Sequence, residues 1–134
     1  MADLLPHAPP ARLLATVLAA GTEGIVCAGI IPAAHPLAGG GEAPGFLAIE
    51  LAAQAAAALE ALARHPDGHP RIGYLVGVRD THLPPGLPTG RTLRVTAIPA
   101  GGAAALSIYD MEVADEGNGE RLASGTVSTF LAET

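Results

Sequence analysis

The chain has 134 residues, a formal net charge of −6 and 49% hydrophobic residues, but only 3% aromatics and no Trp. That suits one domain, residues 1–134, with a core of Ala, Leu, Val and Ile, and it lacks the basic stripe and stacking aromatics of a nucleic-acid binder. Lysine is absent, which excludes a Schiff-base or P-loop lysine, and one Cys27 with dispersed His residues gives neither an internal disulfide nor a metal-ligand spacing.

The proline-rich "LLPHAPPA" at 4–11 reads as an extended lead-in, because proline fixes φ and removes a donor. Two strand-like runs follow, at 12–20 and 24–31, split by the turn "AGTEG". "GIVCAGII" carries no charge, so it is expected to be a strand buried on both faces. "PAAHPLAGGGEAPG" at 32–45 holds three prolines and four glycines, which predicts irregular backbone. A long helix then runs from Pro44-Gly45 to the breaker "RHPDGHP", with Glu60 and Arg64 placed as an exposed i,i+4 pair near its end. Beyond it, 71–83, 91–100, 103–114 and 121–132 read as four strands, with "PPGLPTG" and "DEGNGE" as turns.

Two apolar stretches invite a membrane reading. The first, 11–21, lacks a basic flank and reads better as a strand. The second is the helix, apolar on every side from Phe46 to Leu59 except at Glu50 and Gln54. A charge at a bilayer centre costs roughly 2.5–3.5 kcal/mol, so a soluble, cytoplasmic protein is expected, with an antiparallel sheet wrapped around the helix.

That wrapping explains the grease but not the carboxylate. At 100° per residue Glu50 and Gln54 lie about 40° apart, beside Phe46, Ala53, Ala57 and Ala61. Small neighbours leave space there, and a buried carboxylate must be paired, protonated or facing a cavity. His35 stands upstream in the Gly-rich loop. A His/Glu pair converging on one cavity is a minimal acid/base device. The loop's end also brings backbone N–H groups of the helix N-terminus toward a partly negative acyl oxygen, and Gly45 is expected to let substrate approach the backbone.

The motifs "LLPHAPP", "PGFLAIELAAQ" and "RIGYLVGVRD" resemble the hotdog-fold beta-hydroxyacyl-ACP dehydratases, and nearly the whole chain takes part. The spacing from "HP" to Glu50 is closest to the aryl-polyene-type 3-hydroxyacyl-ACP dehydratase-like subfamily. The resemblance implies an α+β hotdog fold with one long central helix. It makes His35 the catalytic base that takes the proton alpha to a thioester carbonyl, and Glu50 the acid that protonates the departing beta-hydroxyl. Gly45, Phe46 and Gln54 become substrate-binding. No metal or redox cofactor is implied, since the substrate rides on the phosphopantetheine of an acyl carrier protein or on CoA. Dimers or trimers of dimers are implied, with His and Glu from opposite protomers, and a second hotdog protein is a further candidate partner.

The chain departs from the family's wording in two places. "AHPL" lacks the Gly and Phe of the fatty-acid enzymes, and Ala8 stands where an Arg is usual. Two alternatives therefore stay open: an acyl thioesterase, and a non-catalytic hotdog subunit paired with an active partner. Arg71, Arg79 and Arg91 are candidates to receive an acidic carrier protein, by bidentate contacts, beside a plain surface role.

Overall fold

A computed structural model describes residues 13–64, 71–103 and 105–133, with the side chains at 63, 64, 71–74 and 131–133 outside the description. The lead-in at 4–11, His7, His65 and His69 lie outside the described residues. Strands β1 (Leu14–Gly21) and β2 (Gly24–Gly29) form an antiparallel hairpin close to the predicted runs. Gly24 sits at φ 134°, and a Cβ there would come within 2.5 Å of the Ala97 carbonyl oxygen, so glycine permits the turn and the close approach together.

Next come β3 (Glu42–Pro44), helix α1 (Leu47–Arg64), β4 (Arg71–His82), β5 (Gly86–Pro88), β6 (Leu93–Ala103), β7 (Leu106–Asp115) and β8 (Arg121–Glu133). Six strands make one antiparallel sheet in the order β1-β2-β6-β7-β8-β4, and β3 pairs with β5 in a small second sheet. α1 packs against all six strands of the large sheet. Ala48, Leu51, Ala52, Ala55, Ala56 and Ala58 are fully buried in that contact. Short alanine side chains let the helix lie close to the sheet, and they carry the best helix propensity.

Among the described residues, α1 covers one face of the sheet. β2 therefore alternates, with Ile25, Cys27 and Gly29 buried and Gly24, Val26 and Ala28 half-buried, which corrects the expectation of burial on both faces. An uncharged run told only that nothing forbade burial. Cys27 points to the helix side, where burial pushes its thiol up to about 11 and leaves it inert.

The helix end brings a second correction. Glu60 is buried at 6% exposure. Its Oε1 accepts hydrogen bonds from the Tyr109 hydroxyl at 2.8 Å and Thr129 Oγ1 at 2.6 Å, while Oε2 is buried with no hydrogen-bond partner among the described residues. The i,i+4 spacing to Arg64 is genuine in sequence, but Glu60 faces the sheet. Replacing Glu60 with Leu removes the shared acceptor of two buried hydroxyls, at about 0.5–1.5 kcal/mol for each bond lost. Urea unfolding should show that loss in Glu60→Leu, and its recovery when Tyr109→Phe and Thr129→Val are added.

Candidate active site

The loop between β2 and α1 is more ordered than its composition predicted. His35 N–H donates to the Pro32 carbonyl at 3.0 Å, and Ala38 N–H to the His35 carbonyl at 2.9 Å, which folds the chain into tight turns around His35. Leu37 N–H donates to His35 Nδ1 at 3.1 Å. Further on, Gly39 and Glu42 exchange backbone bonds, Thr89 N–H reaches the Gly41 carbonyl at 3.1 Å, and β3 zips to β5. The segment 84–90, read as a turn, thus supplies a strand that pins the loop.

This bracing decides what Gly45 does. Gly45 is buried, and a Cβ there would collide with the Pro84 carbonyl oxygen. The space a side chain would need is taken by the protein's own backbone, so glycine is required here for packing whether or not a substrate also approaches it. Gly45→Ala should cost about 1–3 kcal/mol of stability, as overpacking does. A lowered melting temperature in that variant checks it. The first-turn amides are partly spent as well, since Ala48 N–H donates to the Gly45 carbonyl and Ile49 N–H to the Phe46 carbonyl.

His35, Glu50 and Phe46 line one cavity of about 370 Å³, together with Leu13, Leu47 and Ile49. Phe46 is 54% exposed at its rim. His35 and Glu50 both come from one chain here, whereas the resemblance implies a His and a Glu from opposite protomers. A larger depression of about 530 Å³ lies elsewhere, with Asp80, Asp110, Glu112 and Arg121 in its walls and neither His35 nor Glu50 among them.

Gln54 does not line the cavity. It is fully buried behind Glu50. Its Oε1 accepts from Leu13 N–H at 2.8 Å and Leu14 N–H at 3.2 Å, and its Nε2 donates to Glu50 Oε1 at 2.9 Å. Expected to meet substrate, Gln54 instead ties the start of β1 to the carboxyl of Glu50. The i,i+4 spacing of Glu50 and Gln54 marked the pair, but nothing local pointed to Leu13, Leu14 or the Leu37 amide.

Of the arginines considered for a carrier protein, Arg91 is committed to Asp115, with Nε 2.7 Å from Oδ2. That contact is the main cause holding the Asp115 carboxyl below its usual range. Arg79 is exposed on β4, and the Arg71 side chain lies outside the described residues. Among the described residues, no group of His, Cys, Asp and Glu could hold a metal ion. No described helix is long and apolar enough to cross a membrane.

One helix cradled by a six-stranded antiparallel sheet, with a polar pair where the loop meets the helix, is a hotdog-fold protein of the dehydratase and thioesterase type. Residues 1–134 match the ApeP-like family, described as ApeP dehydratase, and the chain belongs to that family. No curated protein matches the sequence. Among solved structures, the dehydratase heterocomplex ApeI:P from Xenorhabdus doucetiae is similar at TM-score 0.84, with 23% identity over 96% of this chain and 88% of that one. A hypothetical thioesterase with coenzyme A from Streptococcus pneumoniae follows at TM-score 0.66 and 12% identity, over 89% of this chain and 86% of that one. The TT0310 protein from Thermus thermophilus is 26% identical at TM-score 0.61, over 86% and 89% of the two chains.

Proposed function

We propose that this protein dehydrates a 3-hydroxyacyl thioester to a trans-2-enoyl thioester, with His35 and Glu50 as the reacting pair. The supporting observation is that both side chains line one cavity in a chain of the ApeP dehydratase family. Phe46 at the rim offers an apolar contact for the acyl chain. The substrate is carried by an acyl carrier protein or by CoA in the cytoplasm, and the chemistry needs no further cofactor. A proton leaves the carbon alpha to the thioester carbonyl, and the beta-hydroxyl departs as water.

The protein works as a pair with a second hotdog chain, identical or different. β4 is an edge strand of 12 residues whose outer side is unpaired in the sheet order. It exposes Leu75, Val76 and Val78, with Val76 at 58%. Such an edge is a template for another strand, and the similar heterocomplex from Xenorhabdus doucetiae supports a non-identical partner. Val76→Lys should shift the assembly toward monomer in sedimentation, because a charge there opposes strand addition.

Incubation with 3-hydroxybutyryl and enoyl thioesters, followed by mass analysis, tests the reaction. Loss or gain of water supports dehydration. Release of free acid would mark a thioesterase. No change, alone or with a partner chain, would mark a non-catalytic subunit.

A further inference from the structure

We propose that the segment 84–90 is the element that positions the His35 loop, with Gly90 and Leu87 as its positioning residues. Neither is asked to touch substrate. The proposal rests on the dehydratase reading and names the part of the chain that keeps its reacting pair together.

The loop leading to the helix has little hold of its own. Every residue from Pro32 to Glu42 is exposed except the half-buried His35 and Ala38. Gly39, Gly40 and Gly41 follow in a row, with φ at 63° and 81° in the last two, a composition that favours movement. The bonds from His35 N–H to the Pro32 carbonyl and from Ala38 N–H to the His35 carbonyl shape the turns. They attach the loop to nothing beyond itself.

Attachment comes from 84–90. Gly90 N–H donates to the Ile31 carbonyl at 2.9 Å, ahead of His35, and Thr89 N–H donates to the Gly41 carbonyl at 3.1 Å, beyond it. Two adjacent amides thus tie together both ends of the excursion that carries His35. β5 extends the hold along β3, where Leu87 pairs with Ala43. Leu87 is fully buried, so this short strand is rooted in the core. Glu50 rides on the helix and His35 on the loop, and they reach one cavity by separate routes. A misplacement of about 1 Å can cost about 10²-fold in rate, so the tie bears on turnover.

Gly90 offers a clean way to loosen it. Its φ of 71° lies in the left-handed region, and a Cβ there would meet nothing within 4 Å. A side chain at 90 is therefore opposed by backbone conformation and not by lack of room. Gly119, in the turn between β7 and β8, has φ 74° and equally open surroundings. Its N–H is also bonded, to the Asp115 carbonyl at 2.8 Å. The two glycines are matched in strain and differ in what they hold.

The experiment compares Gly90→Val with Gly119→Val in the full chain, with its partner where one is needed for activity. Both should lower the melting temperature by similar amounts, since a β-branched residue is strained at either φ. With a 3-hydroxyacyl thioester, Gly90→Val should lose about tenfold or more in kcat while Gly119→Val stays within about twofold of the parent. Gly90→Asn, a residue that tolerates this conformation, should restore turnover to within about threefold. Without substrate, hydrogen exchange at the Ala38 amide should quicken in Gly90→Val and in Leu87→Ala, and not in Gly119→Val. Equal turnover in the two valine variants, or unchanged Ala38 exchange in Gly90→Val, overturns the proposal. If the parent dehydrates nothing, the dehydratase reading fails, and the exchange comparison still decides whether 84–90 holds the loop.

Discussion

Glu50→Gln should remove dehydration by about 10²–10⁴-fold, the range of a positioned acid or base, while the fold survives. Survival is expected because the amide oxygen of a glutamine at position 50 can still accept the Gln54 Nε2–H that Glu50 Oε1 accepts now. The substitution keeps size and hydrogen bonding, and it removes only the ability to exchange a proton. Mass detection of water loss from a 3-hydroxyacyl thioester reads the activity, and circular dichroism with thermal melting reads the fold. An active Glu50→Gln with parental melting would sink the assignment of Glu50.

Gln54→Leu should damage both stability and activity. Leu is close in volume and welcome in a helix, so packing alone predicts little change. The loss comes from the hydrogen bonds. Leu13 and Leu14 are almost fully buried, and their N–H groups would lose the one side-chain oxygen they share. Two stranded donors cost about 1–3 kcal/mol each. Glu50 would lose one of its hydrogen bonds at the same time, so turnover should fall further than the lower melting temperature explains. Denaturant unfolding beside kinetics at a temperature where the variant is fully folded separates the two effects. Gln54→Leu with unchanged turnover would show that Glu50 is held by other means.

The fold was largely legible, for a physical reason. A helix apolar all round, followed by alternating strands, has few ways to bury itself, and wrapping it in an antiparallel sheet is one. Strand and helix positions followed from turn residues and period. Glu50 stood out because a carboxylate in an apolar run is conspicuous, and His35 because it lies in the loop that leads into the same helix. What escaped were contacts made by backbone or across long sequence separation. No local pattern announces that Pro84 fills the space beside Gly45, or that Tyr109 and Thr129 bond Glu60 from two different strands. The wrong reading of Glu60 has the same origin, since helical spacing to Arg64 is visible in sequence and the direction of the sheet is not.

The Gln54 bridge couples fraying of the first strand to the position of the Glu50 carboxyl. Opening of β1 at Leu13 and Leu14 releases the Gln54 oxygen whose amide also donates to the Glu50 carboxyl, so the two are coupled through one side chain. Hydrogen exchange at those two amides would then report how often Gln54 lets go of the strand in the absence of a ligand. A ligand that seats against Glu50 should slow that exchange from the far side of the helix, although it touches neither amide.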